Sequence, residues 1–383
     1  MPRSLSTSIY SFAITATLSA TLSSAQADEL LIHNLRVGQG DATLIQGPIQ
    51  ADGSRVNVLV DAGDIPKRDG GDIIRAVLWK KKVKKLDYLI ITHDDADHLG
   101  GIAYGGVHGE SFLLGFNDVP GDEGDDDGDG IVDWIKGAPD YIPDPDEMGK
   151  DDDVEVKFFV DYGEHNMRGT TQAIKKYNRF ANSMGTRITL ESQNDADNFE
   201  INLGSDARMI LFATNGYVRG LSQRVANVDR PNEKSLSFLV TYGDFDYLIS
   251  GDLIGREHGR EDAKVEEAVG QAIVDEGFNV DVLHVNHHGA NNASSKAFLD
   301  IIKPEIAIIS AGNRNDHKHP DIETLERLVE AGVDRIFQTS WGTTRSKFPY
   351  EIRDHHAIWQ QDITIRSNGK KFWLETSRDW KAE

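Results

Sequence analysis

Thr92-His93-Asp94-Asp95-Ala96-Asp97-His98-Leu99-Gly100-Gly101 is the stretch on which the reading of this chain turns. Four side chains able to ligate a metal, His93, Asp95, Asp97 and His98, fall within six positions. They follow an apolar run that predicts a buried strand from Leu86 to Thr92. A loop leaving such a strand can turn all four toward one point, whereas a continuing strand alternates its side chains between two faces. Imidazole nitrogen and carboxylate oxygen suit zinc, and a carboxylate-rich set also accepts manganese. The bland alternative is a solvated acidic turn, but such turns do not usually follow a Leu/Ile run with two histidines bracketing three aspartates.

Three further positions share that placement. Asp252 follows Tyr247-Leu248-Ile249-Ser250-Gly251, His287 and His288 follow Val282-Leu283-His284-Val285-Asn286, and His319 stands in Asn315-Asp316-His317-Lys318-His319-Pro320 after Ile308-Ile309-Ser310. Each alone reads as a turn aspartate or a surface histidine. Together they sit where open α/β sheets build their sites, beyond the ends of strands.

Working outward, short apolar runs alternate with turn residues. Strands are predicted at Leu30 to Leu35, Ala42 to Gln46 and Val56 to Val60, and a helix at Ile73 to Lys82 leads into the strand before His93. From residue 104 to 198 the pattern breaks into Gly-, Asp- and Pro-rich sequence, read as an acidic insertion with one helix, Thr171 to Met184. Alternation resumes with strands at Ala207 to Thr214, Leu236 to Tyr242 and Asp246 to Ser250. Strands near 280–285, 306–310 and 335–338 then alternate with helices, and a hairpin around Asn368-Gly369 closes the pattern. The expected organisation is an α/β core in two parts, 28–103 and 199–383, separated by the insertion at 104–198.

Residues 1–27 have a basic start, a short apolar middle rich in Ser and Thr, and a small-x-small end at Ala25-Gln26-Ala27. These are the parts of a cleavable signal peptide, and the middle falls short of the ~20 residues a membrane-spanning helix needs. A secreted or periplasmic product without a membrane span is therefore expected. The chain has no cysteine, so disulfides and thiolate ligands are excluded. Its 41 Lys+Arg against 63 Asp+Glu give a formal net charge of −22. Such a surface disfavours nucleic acid as a partner without excluding it, because metal ions can gather phosphates locally.

Within the insertion stands Asp125-Asp126-Asp127-Gly128-Asp129-Gly130-Ile131-Val132-Asp133. Asp125, Asp127, Asp129 and Asp133 at loop positions 1, 3, 5 and 9, with Gly at 6 and an apolar residue at 7, have the ligand spacing of a calcium loop. Lys136 stands where the bidentate Glu of an EF-hand would be, so a weak calcium site is expected; an acidic linker is the alternative.

These motifs, in this order, resemble the metallo-β-lactamase superfamily, and within it the extracellular hydrolase domain of ComEC-type competence proteins and the phosphorylcholine esterases. The resemblance covers about Leu31 to Glu375 outside the insertion. It rests on Val37-Gly38-Gln39-Gly40-Asp41, Leu59-Val60-Asp61-Ala62-Gly63, Thr92 to Gly101, Asn232 with Ser235, Ser250-Gly251-Asp252, Asn286-His287-His288-Gly289 and His319-Pro320. It implies an αββα sandwich with two divalent metal ions at one edge. His93, Asp95 and His287 would hold one metal, Asp97, His98 and His319 the other, with Asp252 bridging. His287 is preferred over His288 as the first after the strand, and both are kept as candidates. Asp41 and Asp61 would orient ligands from behind. Metals of this kind make a hydroxide from bound water near neutral pH, with Asp97 as the proton acceptor. Members that cleave β-lactams usually carry histidine where Asp95 stands, and no histidine in a matching context lies between the first cluster and Asp252; His165 reads as a surface residue. The resemblance therefore implies a phosphoester hydrolase, a phosphodiesterase or nuclease-like enzyme. A lactonase or other carbonyl-substrate hydrolase, and a non-catalytic binding protein, are the alternatives.

Overall fold

The computed structural model describes residues 29–64, 70–103, 113, 154–167, 171–255, 264–312, 317–342 and 355–375. The signal stretch and the calcium-loop residues Asp125, Asp127, Asp129 and Asp133 lie outside these. The first part of the chain lays down β1 (Leu30–Asn34), β2 (Thr43–Gln46), β3 (Asn57–Val60), β4 (Lys85–Ile90), β5 (Glu155–Asp161) and β6 (Thr186–Thr189). The second supplies β7 (Glu200–Gly204), β8 (Ala207–Thr214), β9 (Tyr217–Val218), β10 (Ser237–Tyr242), β11 (Phe245–Ile249), β12 (Val282–His284), β13 (Ile306–Ile309), β14 (Arg335–Gln338) and β15 (His356–Ile358). The final hairpin, β16 (Ile363–Ser367) and β17 (Phe372–Glu375), returns to the first sheet. One sheet runs β17-β16-β1-β2-β3-β4-β5-β6; the other runs β15-β14-β13-β12-β11-β10-β8-β7 with β9 beside β8.

Period-two alternation in the second sheet makes the layers. Met209, Leu211, Phe238, Val240, Val282, Ile306, Ile308 and Phe337 enter the core that the two sheets share. Their strand neighbours Ile210, Phe212, Leu239, Leu283, Ala307, Ile309 and Ile336 face the other way, into a second core. There they meet Val265, Val269 and Ile273, then Phe298, Leu299 and Ile302, then Leu325 and Leu328. Those residues lie on helices Val265–Asp275, Lys296–Ile302 and Ile322–Glu330. On the first sheet Ile74, Val77, Leu78, Ile174 and Tyr177 cover the outer face from helices Gly70–Lys80 and Gln172–Ser183. Two sheets between two helical layers are the expected αββα arrangement. In chain order the helices are α1 (Gly70–Lys80), α2 (Ala96–Ala103), α3 (Gln172–Ser183), α4 (Gln193–Asn198), α5 (Val265–Asp275), α6 (Lys296–Ile302) and α7 (Ile322–Glu330).

The reading of 104–198 as an insertion is corrected for its last part. β5 pairs in parallel with β4, β6 pairs in parallel with β5, and α3 packs on them, so residues from 154 onward extend the first sheet. The alternation of exposed Glu155 and Lys157 with buried Val156 and Phe159 is a strand signal, hidden by the Asp/Gly-rich sequence before it. Among the described residues no helix is long and apolar enough to cross a membrane.

Candidate metal centre

β3, β4, β11, β12 and β13 all point their C-terminal ends at one edge of the sandwich, and the chemistry-bearing residues collect there. β4 ends at Ile90 and α2 begins at Ala96, so the first cluster is half loop and half helix. His93 and Asp95 lie in the loop, while Asp97 and His98 occupy the first helical turn. Close backbone approach brings the β1–β2 connection in. Asp41 N donates to Asp97 O at 3.1 Å, and a Cβ on Gly40 (φ +126) would stand 2.3 Å from the same oxygen. Gly251, with φ +52, fits against Thr92, where a Cβ would lie 2.4 Å from Oγ1.

Asp252 is the centre of the arrangement. Its Oδ1 lies 3.1 Å from His98 Nε2 and 3.6 Å from His288 Nε2. Its Oδ2 lies 3.7 Å from His93 Nε2 and 3.6 Å from His287 Nε2. Asp95 Oδ2 adds to the second group at 3.5 Å from His93, and Asp97 Oδ2 to the first at 3.3 Å from His288. Asp41, His98, Asp252 and His288 each bring a ligand atom within 4.8 Å of the other three.

Each of the four imidazoles is anchored through Nδ1, which leaves Nε2 aimed inward. His98 Nδ1 donates to Asp61 Oδ2 at 2.8 Å. Thr92 Oγ1 also donates to Asp61 Oδ2, at 2.7 Å, and receives His93 Nδ1 at 3.1 Å. His288 Nδ1 donates to the Ser310 carbonyl at 3.1 Å, and His287 Nδ1 to Asn292 Oδ1 at 3.1 Å. Nε2 of His93, His98 and His288 and Oδ1 of Asp252 are buried without a hydrogen-bond partner among the described residues. Unpartnered imidazole nitrogens converging on a buried carboxylate, with each ring turned by a group behind it, are the donor set a divalent cation requires. The residues present therefore fit one.

Electrostatics agree. Burial opposes charge on His98, but Asp252 and Asp61 outweigh it and hold the imidazole pKa well above its usual value. Burial opposes His288 in the same way and is outweighed by Asp252 and Asp41. Asp252 is pushed up by burial and more strongly down by His98, His288 and His287, so it stays ionised. These protons stand where positive charge is wanted, and a cation entering the cluster replaces them.

Several placements differ from expectation. His287 and His288 both face Asp252, on different oxygens. They achieve this with consecutive left-handed backbone at φ 52, at a cost on the order of 1–2 kcal/mol each. His288, not His319, pairs with His98 across Oδ1. His319 stands at the rim, its ring 5.6 Å from that of His287 and 6.4 Å from that of His288. Asp61 lies behind His98 and receives its Nδ1. Asp41 lies on the Nδ1 side of His288, 3.5 Å from that atom, and also 3.6 Å from the buried His284. Asn232 Nδ2 lies 3.3 Å from His287 Nε2. His165 is at the surface beside Glu191. Sequence reasoning passed over Thr92 as a link and Asn292 altogether; a hydroxyl just ahead of His93 was the one available signal.

A profile of the metallo-β-lactamase superfamily matches residues 35–105. ComE operon protein 3 of Bacillus subtilis (strain 168) is 23% identical over 326 residues, which is 82% of this chain and 32% of that protein's length. Competence protein ComA of Neisseria gonorrhoeae is 35% identical over 115 residues, 30% of this chain and 15% of that protein. Among solved structures there is a looser likeness to Tm1679, a metal-dependent hydrolase of the β-lactamase superfamily. It has 11% identity and a TM-score of 0.36, over 86% of this chain and 95% of that one. Residues 35–105 thus follow the pattern of the metallo-β-lactamase superfamily, and the His/Asp cluster gathers around the end of that stretch.

Proposed function

We propose that this protein hydrolyses phosphoester bonds, as a phosphodiesterase or nuclease-like enzyme, with two divalent cations (zinc or manganese) held about Asp252. We further propose that it acts outside the cytoplasm after loss of residues 1–27. The division of the cluster by the two oxygens of Asp252 carries the reading. His93, Asp95 and His287 gather on the Oδ2 side, and His98, Asp97 and His288 gather on the Oδ1 side. A carboxylate with a separate donor set on each oxygen is placed to bridge two cations.

Bound there, two such cations lower the pKa of a water and offset charge that develops on the oxygens of a phosphoryl group. The chain's own residues do the rest. Asp61, Thr92, Ser310 and Asn292 keep the imidazoles aimed. The side chain of Asp97 is 24% exposed at the cluster's edge, and it is placed to take a proton from an attacking water. Burial raises its pKa, but the neighbouring imidazoles of His288 and His98 hold it ionised. His319 and Asn232 flank His287 at the mouth, where a substrate oxygen would arrive. Asp95 in place of a third histidine of that set favours phosphorus over a carbonyl centre, because a carboxylate-rich set suits harder, oxygen-bound cations. Similarity to competence proteins supports a nucleic-acid phosphodiester, and the net charge of −22 weighs against a long polyanion.

The test is hydrolysis of bis-p-nitrophenyl phosphate by metal-stripped protein refilled with zinc or manganese, beside Asp252→Ala. Turnover restored by metal and reduced at least ~100-fold in the variant is expected, since loss of the bridge removes both halves of the centre. Stoichiometric metal binding without phosphoester cleavage would move the carbonyl-substrate reading ahead.

A further inference from the structure

The segment that carries His287 and His288 is gripped from two sides by side chains outside the metal cluster. From α5, the fully buried Glu266 reaches under it. Oε1 accepts from Asn286 Nδ2 at 2.8 Å and from Ser294 N at 2.7 Å, and Oε2 accepts from Ser295 N at 2.9 Å. From α7, Arg327 donates through Nε to Ser294 O at 3.2 Å, and through one terminal nitrogen to Ala293 O at 2.9 Å and Asn291 O at 3.1 Å. Thr324, which also receives Arg327, passes its hydroxyl proton toward Ala290 O at 2.8 Å. A carboxylate only accepts and a guanidinium only donates. The N–H groups of Ser294 and Ser295 are therefore taken by one side chain, and the carbonyls of Asn291, Ala293 and Ser294 by the other.

What lies between the jaws explains the need. His287 and His288 are consecutive residues in left-handed backbone, a conformation that persists in bulky side chains only where the surroundings over-determine it. Asn286 is held just before the pair and residues 290–295 just after it. The segment that brings Asp252 is tied in as well. Gly255 N donates to Asn292 O at 3.1 Å, and a Cβ on Gly255 would stand 2.3 Å from Glu266 Oε2. A buried carboxylate is costly unless all its hydrogen bonds are made, and here they are spent on the loop that aims two candidate ligands.

We propose that Glu266 and Arg327 are positioning residues that set the aim of His287 and His288; this rests on the metal-centre reading above. The expected consequence of loosening either jaw is a weaker and differently shaped metal site in a protein that still folds. Glu266→Gln turns an amide N–H₂ against either Ser295 N–H or the Asn286 and Ser294 donors. Arg327→Ala frees three carbonyls from a half-buried position and leaves the core intact.

The experiment is cobalt(II) titration of the metal-stripped full chain, read by visible d–d absorption and by competition with a chelator. Wild type, both variants, Asp252→Ala and the surface control Lys296→Ala are compared. Expected are two equivalents in wild type and control, with binding weakened about 10- to 100-fold and an altered spectrum in both jaw variants. Melting of the metal-free forms reports folding, and if Glu266→Gln does not fold, Arg327→Ala decides. Wild-type affinity and spectrum in the folded jaw variants would overturn the clamp while the metal centre stands. If wild type binds no cobalt and behaves like Asp252→Ala, the metal-centre reading fails and the clamp with it.

Discussion

At the scale of single residues, Asp61 carries an outsized share of the geometry. It is fully buried with left-handed backbone at φ 59. Oδ1 accepts from Thr92 N at 2.8 Å, while Oδ2 accepts from Thr92 Oγ1 and His98 Nδ1. One carboxylate thus turns His98 directly and His93 through the Thr92 hydroxyl. Asp61→Asn replaces an acceptor with an N–H₂ donor among three donors, so one hydrogen bond must invert. The expected result is metal affinity about 10- to 100-fold weaker with the fold retained, measured by chelator competition. Unchanged affinity would mean the rings keep their aim without it. That Asp61 would stand behind the ligands was an implication of the family resemblance, carried by Leu59-Val60-Asp61-Ala62-Gly63. That it reaches His93 by way of Thr92 was not readable, because that depends on how β3 and β4 lie side by side.

At the scale of elements, β5, α3 and β6 teach the most. They are tied together by Asp161, whose Oδ2 receives Tyr177 OH at 2.6 Å and Arg187 at 2.9 Å, and whose Oδ1 receives Gly163 N at 2.7 Å. Burial raises the Asp161 pKa despite Arg187, so the carboxylate depends on these partners. The next residue, Tyr162, donates to Asp94 in the first ligand loop. The network therefore runs from the sheet's outer strands to the metal edge. Tyr177→Phe keeps the ring and removes a charge-assisted hydrogen bond, and it should cost about 1.5–3 kcal/mol by urea unfolding. A loss below ~0.5 kcal/mol would show that Arg187 and Gly163 suffice. The element pattern was otherwise legible: predicted and observed bounds coincide for β8 and β14 and differ by a residue or two for most others. β5 was overlooked because seven strand residues after a long acidic stretch give a weak local signal, and only pairing with β4 makes them a strand.

Over the whole molecule, burial decides how pH acts on stability. His33, in β1, is buried and held neutral. Burial, reinforced by Lys81, lowers its pKa to about 3, while Thr364 and Gln46 meet its two nitrogens. His356, in β15, is lowered to about 4 by burial and contacts Gln338. Unfolded histidines take up protons near 6.5 and these folded ones do not, so stability falls as pH drops below that value. The slope from each is ~1.4 kcal/mol per pH unit until its folded pKa is reached. Denaturant unfolding of metal-free protein should therefore show stability decreasing from pH 6.5 to 4.5. A flat profile would mean these imidazoles are protonated in the folded state. The acidic surface, with 63 Asp+Glu against 41 Lys+Arg, adds repulsion that lessens as carboxylates protonate, so the histidine effect is clearest above pH 4.5.

The sequence by itself determined which residues could serve chemistry and where along each strand they fall. Thr92 to His98, Asp252, His287-His288 and His319 could be picked out because a strand's end is a local property, marked by an apolar run giving way to Asp, His and Gly. It also determined an α/β core, through helical and two-residue periods that each element shows on its own, and the sandwich was what the family resemblance implied. Only the tertiary structure decided which oxygen of Asp252 faces which imidazole, that His288 rather than His319 stands opposite His98, and that Glu266 and Arg327 grip the loop between them. Glu266, in the first turn of α5, reads from sequence as an ordinary solvated helix acid. Its burial depends on which way α5 rolls against the second sheet, and that is settled by packing between elements distant in the chain.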